Sequence, residues 1–468
     1  MMRNYDKNGG LSWLGIIRLG LVQTALGAIV VLTTSTLNRI MVVEYGLAAM
    51  LPGALVGFHY AVQMSRPRWG YGSDVGGNRT RWIIGGMAVL AQGGALAALG
   101  TALMASSFWT GLLVSIVAFA LIGLGVGASG TSLLTLLATK VAPGRRPAAA
   151  SIVWIMMIAG FVVTAITAGA QLDPYTPLRL VLVSTSVSVI AFIVALLAVY
   201  GIEKGGAPQV AIADKPKPKP NFRAAFAEVW AEPRARQFTI FVFVSMLAYS
   251  AQDLILEPFA GLVFSYTPGE STQLAGMQNG GVMVGMITVA ICGSALARLR
   301  RLGALGQVLG SMRFWAVGGC LASALAFLGL AVSAQIGPAW PLKANVFALG
   351  LANGAFAVAA IGSMMGLAGE GASGREGTRM GLWGASQAVA FGLGGFLGTV
   401  AIDLARAIAG SEASAYQAIF MVEGALFVVS ALIAAKVAPS VALGGDQQNK
   451  PRISNYRPGG EPGLSAAE

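Results

Sequence analysis

Residues 57–82 read GFHYAVQMSRPRWGYGSDVGGNRTRW. An apolar helix carrying the chain's one histidine, His59, runs into a short loop dense in glycine and arginine. The loop holds a single acid, Asp74, and a second apolar run starts at Trp82. A polar, glycine-rich turn between two apolar runs is what a tight connection between two membrane helices needs. Basic residues in such a loop hold it on the cytoplasmic side.

The rest of the chain repeats the pattern. Of 468 residues, 56% are hydrophobic and 11% charged, and the mean hydropathy is +0.71. A soluble domain carries roughly 25% charged residues, so the chain is read as a polytopic all-α membrane protein. Its apolar runs are long enough to cross about 30 Å of hydrocarbon as helices. They do not alternate in polarity as the strands of an outer-membrane barrel do. The net charge of +12 follows from where the loops lie and does not imply nucleic acid. Cys292 and Cys320 both fall in apolar runs, without the spacing of a disulfide framework or a metal site. Arg18 interrupts what would be the apolar core of a cleavable signal, so the first helix is expected to stay as an anchor.

Twelve helices are predicted, at 14–37, 46–64, 82–104, 109–138, 148–170 and 179–200, then 238–261, 274–296, 307–334, 343–368, 381–402 and 416–438. With both termini placed in the cytoplasm, all but a few of the 31 Lys and Arg fall on that side. The organisation expected is a cytoplasmic N-terminus (1–13), a six-helix bundle (14–200), a cytoplasmic linker (201–237), a second six-helix bundle (238–438) and a cytoplasmic tail (439–468), with a pseudo-twofold axis relating the bundles. The linker alternates Lys and Pro, which favours extended chain. It then offers a short amphipathic helix with Phe222, Phe226, Val229 and Trp230 on one face, suited to a membrane surface. Glycine clusters at 121–134 and 391–400 are read as sites of close helix approach.

Polar residues inside spans are candidate functional groups. On the seventh helix Gln252, Asp253 and Glu257 stand out, the two acids four residues apart and so on one face. Gln278 and Asn279 on the eighth helix are amide partners for them. Proton or ligand handling and plain interfacial packing both fit this set. Thr131, Ser132, Asn345 and Asn353 offer uncharged polar groups to a central cavity. His59 presents an imidazole that could ligate a metal centre, with Gly57 leaving room beside it and Gln63 one turn on. It could equally be a hydrogen-bonded structural imidazole. No Walker motif, zinc spacing or nucleophile constellation appears, and no enzyme is expected.

Six plus six helices with a long central linker resemble the major facilitator superfamily. Its loop between helices two and three has the form G-x-x-x-D-[RK]-x-G-[RK]-[RK]. Here Gly70, Asp74, Gly77 and Arg79 match, while Val75 and Asn78 replace basic residues. In such a clasp Asp74 can accept from helix N-termini or an arginine. The second-half counterpart, GSALARLRRLGALG, keeps the basic residues without the acid.

The wider stretch LPGALVGFHYAVQMSRPRWGYGSDVGGNRTRWIIGGMA (51–88) resembles the PucC/LhaA family of light-harvesting complex assembly factors, the bacteriochlorophyll-delivery branch of that superfamily. The arginine-proline-arginine form and the SDVGGNRT continuation look more like the LhaA subgroup, linked to the core antenna. The resemblance implies a pigment chaperone or assembly factor in the bacterial inner membrane. Bacteriochlorophyll would be its ligand, and His59 a candidate for the pigment magnesium. Antenna polypeptides, reaction centre and pigment-synthesis machinery would be partners, and self-association is a further expectation. The competing expectations are a proton-coupled carrier of a lipophilic small molecule and an exporter of pigment or precursor.

Overall fold

The computed structural model describes residues 10–65, 78–142, 145–203, 230–294, 308–368 and 376–437. These form twelve helices, labelled in chain order. The first six are α1 (Trp13–Glu44), α2 (Met50–Gln63), α3 (Arg79–Met104), α4 (Phe108–Lys140), α5 (Arg146–Leu172) and α6 (Pro177–Val199). The second six are α7 (Pro233–Phe264), α8 (Pro268–Ser294), α9 (Met312–Ile336), α10 (Leu342–Ala368), α11 (Glu376–Ala409) and α12 (Glu412–Val437). Eleven are long and apolar enough to cross a membrane; α2, at 14 residues, is shorter. The bundle end carrying Leu11, Tyr200 and Val437 is called proximal. The end carrying the α1–α2, α5–α6, α7–α8 and α11–α12 turns is called distal.

Helix starts follow local chemistry. Ser12, Asn78, Thr176 and Ser311 cap α1, α3, α6 and α9 through their side-chain oxygens, and Pro occupies the first turn of α5, α6 and α7, where its missing N–H costs nothing. Gly46 and Gly410 take positive φ (63° and 68°) where α1 and α11 end, a conformation that glycine adopts without strain.

The six-helix units pack by one scheme. Helices α1–α5, α1–α6, α3–α4, α3–α6 and α2–α4 pair in the first unit. Their counterparts α7–α11, α7–α12, α9–α10, α9–α12 and α8–α10 pair in the second. This is the major-facilitator arrangement with its pseudo-twofold axis. The units meet along two equivalent seams, α2–α11 and α5–α8. One hydrophobic core fills each unit, and each takes residues from across the seam: Leu254 joins the first core, Val42 and Ala49 the second.

Lipid gives helices no hydrophobic reason to associate, so small residues let backbones close up. On α3, a Cβ at Gly86 would sit 2.6 Å from Ser129 N, and one at Gly93 2.9 Å from Ile122 N. On α8–α10, Gly281, Gly285, Gly350 and Gly354 meet backbone of the facing helix in the same way. The glycine clusters at 121–134 and 391–400 serve packing of this kind. Gly123 meets α2, Gly125 meets α3, and Gly394 and Gly398 meet α7.

Three boundaries differ clearly from the sequence reading: α8 starts at Pro268 and not at 274, α11 runs to Ala409 and not to 402, and α1 runs past 37. The first helix does not end at 37 but continues to Glu44 through two π-turns, Leu32–Thr36 and Ile40–Glu44. Glu44 therefore ends α1 and does not precede α2 in the connecting turn. The polar pair Asn38 and Arg39 stays helical because carbonyls far along the chain, those of Leu254 and Tyr266, accept from it. Of the linker's amphipathic face, Trp230 is described and 39% exposed; Phe222, Phe226 and Val229 lie outside the described residues.

Candidate functional site

Pro258 sits inside α7. A proline has no N–H to give to the carbonyl four residues back, here that of Leu254. In hydrocarbon such an oxygen needs another donor. Asn38 of α1 supplies it, its Nδ2 donating to Leu254 O at 2.7 Å. One residue on, Arg39 is 2% exposed, pairs with Glu44 and donates to Tyr266 O at 2.6 Å. Thr36 and Thr272 hydroxyls meet at 3.0 Å. The π-turned part of α1 and the proline-broken part of α7 thus interlock where the units meet. Helix interruptions at pseudo-equivalent places mark the substrate region in this kind of fold.

Beside this lock lies Glu257, 1% exposed. Ser35, Ser271 and Arg39 are its polar neighbours, yet Ser271 gives its hydroxyl to Pro268 O at 3.2 Å. Gln252 is equally buried, and both its amide atoms lack partners. Glu423 on α12, absent from the sequence-derived site set, is 3% exposed with both oxygens unpartnered, and it feels the charge of Asp253. Asp253 also neighbours Tyr249, and Tyr249 neighbours Tyr60 of α2. Asp253 and Glu257 share a face of α7 but serve different surroundings, the first within the second unit and the second at the seam with α1 and α8.

The other expected polar groups face elsewhere. Asn279 Nδ2 folds back to Ala275 O of its own helix (2.9 Å), and Gln278 is buried on α8. Asn353 accepts from Ser323 (2.9 Å), and Asn345 donates to Ala326 O (2.9 Å). These asparagines bridge α10 to α9 and do not line a central cavity, because α9 presents the nearest polar partners.

His59 is 2% exposed. Its Nδ1 lies 2.6 Å from Val56 O. A carbonyl only accepts, so Nδ1 carries the proton and Nε2 is the acceptor nitrogen, the tautomer that metal-ligating histidines use. The ring stands 4.1 Å from Tyr60 and 6.4 Å from Phe119 of α4, centroid to centroid. Gln63, four residues on and buried at 7% exposure, shares its face. Gly57 does not. Two residues apart on a helix means about 200° of rotation, and Gly57 faces Gly392 O and Phe396 of α11. The room expected beside the imidazole is therefore on the opposite face, filled by a helix. A pigment macrocycle needs an open face next to the ligating nitrogen. This imidazole is enclosed, so a magnesium-bound pigment does not fit at His59 in this structure.

Of the loop motif, Arg79 is described; Gly70, Asp74 and Gly77 lie outside the described residues. Arg79 Nη1 donates to Thr139 of α4 at 2.8 Å. Glu203, just past α6, accepts from the backbone N–H groups of Arg79 (3.3 Å) and Thr80 (2.8 Å). An acid from the start of the linker thus supports the α3 N-terminus. At the same proximal end, Arg18 donates to Ala198 O (3.0 Å) and Tyr200 O (2.5 Å), closing the C-terminus of α6.

An open cleft of about 660 Å³ lies at the distal end, lined by residues that include Arg39, Glu44, Asp173, Tyr175, Tyr266 and Glu270. Tyr45 and Tyr175 share a hydroxyl–hydroxyl bond of 2.8 Å there, and burial pushes both phenols above their usual range. The cleft is far from His59.

Comparisons with known proteins follow this geometry. The family model described as PUCC protein matches residues 36–441. The chain is 52% identical, over 91% of its length and 96% of the relative's, to a Rhodobacter capsulatus protein named "Bacteriochlorophyll synthase 44.5 kDa chain". It is 29% identical, over 91% and 89%, to an uncharacterized protein of the puhA-bchM intergenic region, also of R. capsulatus. It is 28% identical, over 89% and 90%, to Protein PucC of that organism. The latter two identities are equal in practice, so they place the chain no nearer to one than the other. Among solved structures, a bacterial homologue of the lysosomal transporter Spinster matches with TM-score 0.64 at 16% identity, over 91% of this chain and 97% of that one. A mutant of the nucleoside transporter NupG matches with TM-score 0.60 at 13%, over 90% and 99%. At these identities the likeness concerns the fold.

Proposed function

This chain belongs to the PUCC protein family, and from that membership we propose that it is a non-enzymatic membrane assembly factor for the bacterial photosynthetic antenna, serving the core complex. It would hold bacteriochlorophyll or nascent antenna helices in the inner membrane, with both termini cytoplasmic, until they assemble. The observation that carries the reading is the span of the family match, residues 36–441, which takes in nearly the whole helical bundle. The name of the 52% identical relative adds pigment-synthesis machinery to the proposed partners, beside antenna polypeptides, the reaction centre and a second copy of the chain.

Bacteriochlorophyll enters this reading as cargo and is assigned to no residue, because the imidazole that could ligate it is enclosed. The lipid-facing flanks of the bundle and the seams between its units are the surfaces left for apolar cargo. Purification in mild detergent, followed by an absorption spectrum and identification of bound polypeptides, tests the proposal. Pigment or antenna polypeptide in stoichiometric amount supports it; a colourless protein without antenna polypeptides overturns it.

A second reading rests on the buried carboxyls of Glu257 and Glu423. Acids buried inside spans suit proton-coupled movement of a lipophilic small molecule. Uptake driven by a proton gradient in proteoliposomes, lost in Glu257→Gln, would favour this reading over the first.

A further inference from the structure

Helix α2 starts without a capping side chain. Its N-cap position is Ala49, and no side chain from its own neighbourhood caps it. The first N–H groups find their acceptor across the seam. Ala49 N–H donates to Asp403 Oδ1 at 3.0 Å, and Met50 N–H to Oδ2 at 2.7 Å. Asp403 belongs to the distal part of α11, in the other unit. Arg406 holds it at 3.4 Å and is itself fixed by Glu412 and the Tyr416 hydroxyl, both at 2.8 Å.

The pseudo-twofold axis turns the α2–α11 seam into the α8–α5 seam, and the same exchange appears there. Asp173, just past the end of α5, accepts from Gly269 N–H at 3.2 Å and from the Thr267 hydroxyl at 2.6 Å. Both donors belong to the first turn of α8. That turn already has its own capping box, Thr267 Oγ1 accepting from Glu270 N–H (3.1 Å) while the Glu270 carboxylate accepts from Thr267 N–H (3.0 Å). Asp173 takes the N–H that the box leaves over. The approach requires glycine at 269, since a Cβ there would run into the Asp173 carboxyl and the Gly169 carbonyl.

We propose that Asp173 and Asp403 form a paired clasp that holds the distal mouth between the two units shut. Each unit gives one carboxylate and receives the other at a helix N-terminus, a reciprocal contact like that of a twofold dimer. Each carboxylate also meets the positive end of a helix dipole. The two units cannot part at this end without uncapping both helices, so the clasp governs the side from which the interior is reached. The further polar bonds across the seam, Thr36 to Thr272 and Arg39 to Tyr266 O, lie at the same end and close with it. The inference is independent of the antenna reading and stands or falls separately.

The test uses the full chain in membrane vesicles, with Cys292 and Cys320 replaced by Ser and a reporter Thr36→Cys placed at the buried α1–α8 contact. While the open form is rare, the rate of labelling by a membrane-impermeant maleimide follows its population. Losing one cap should speed labelling about five-fold in Asp173→Ala and in Asp403→Ala. The double variant should label about 25-fold faster, the two sites being independent. Asp→Asn at either site keeps one of the two acceptor oxygens and loses the charge, so its labelling should fall between the parent and the Ala variant.

A lock separates opening from unfolding. A Cβ at Gly276 would sit 3.2 Å from the Ala165 Cβ, so Ala165→Cys with Gly276→Cys can bridge the α5–α8 seam. In the double Asp→Ala background, oxidation should return labelling to the parent rate. Labelling no faster in the double Asp→Ala variant than in the parent would overturn the clasp. So would fast labelling that survives the disulfide, because the carboxylates would then be holding the fold and not the mouth.

Discussion

The two six-helix units are built alike and equipped differently. Both use the same helix pairs and the same device of glycine against backbone, at α3–α4 in one and α8–α10 in the other. Their polar interiors have no such symmetry. Helices α2 to α6 contain no Asp or Glu, and their one imidazole is enclosed by Tyr60 and Phe119. The second unit buries Glu257 and Glu423, and Asp253 lies in electrostatic reach of Glu423. The packing device is common to both units, whereas the buried carboxyls of the helix interiors lie in the second, facing the Arg39–Glu44 pair at the end of α1. That difference points to α7 and α12 as the place to look for function, and to the first unit as the frame they work against.

The largest expected effect tests the shared part of the comparison. Gly86→Leu on α3 and Gly350→Leu on α10 each push a side chain into the backbone of a neighbouring helix. Each should cost about 3 kcal/mol or more and remove folded protein from the membrane. Fluorescence-detected size exclusion would show it. If one unit tolerates its substitution, the packing is not equivalent and the comparison breaks at its first half.

Next in size is the interlock of the units. Asn38→Leu strands the Leu254 carbonyl that Pro258 frees, at a cost of about 1–3 kcal/mol. Pro258→Ala restores the helical N–H and should rescue that variant. A double-mutant cycle on thermal stability in detergent reads the coupling. Additive losses in the cycle would mean that Asn38 does not serve this carbonyl.

The sequence made the architecture legible because hydropathy and loop charge are local. Twelve helices and their six-plus-six grouping follow from run lengths and from where Lys and Arg fall. The contacts between the units were not legible, and the reason is the same in each case. Asn38 and Arg39 read as the end of a helix, since nothing near them in sequence shows that a carbonyl freed at Pro258 or exposed at Tyr266 awaits them. Asp173 and Asp403 carry no signal of their own in the sequence, because their acceptor role depends on helix starts in the other unit. The signals that could have found them were the missing cap before Met50 and the glycine inside the Thr267–Glu270 box. Gly57 was grouped with His59 by closeness along the chain, although helical rotation sets them on opposite faces. Glu423 is an acid in an apolar run, and what it faces follows only from the pairing of α12 with α7.

Smaller effects test the unequal part. Glu423→Gln and Glu257→Gln each replace a buried carboxyl with an amide of the same shape. Folded yield should change by less than about 1 kcal/mol equivalent in either case. If these acids serve the function, antenna level per cell should fall while the protein stays in the membrane. An unchanged antenna level would leave the second unit without the chemical role assigned to it.

The smallest effect is expected in the first unit. His59→Gln can keep a hydrogen bond to Val56 O, and the variant should match the parent in membrane level and in any co-purified pigment. His59→Leu should lose about 1 kcal/mol of stability and no pigment. Pigment lost from His59→Leu with the fold intact would reverse the conclusion that the imidazole is closed to a macrocycle.

The central claim is that a PUCC-family membrane bundle serves antenna assembly. The most direct measurement is the near-infrared absorption spectrum of intact cells, taken with and without this chain in the organism that carries it. Protein levels of antenna and reaction centre should be read from the same membranes. The account predicts a several-fold loss of the core antenna band on deletion, restored by the chain supplied on a plasmid. A full antenna band in the deletion strain would contradict it.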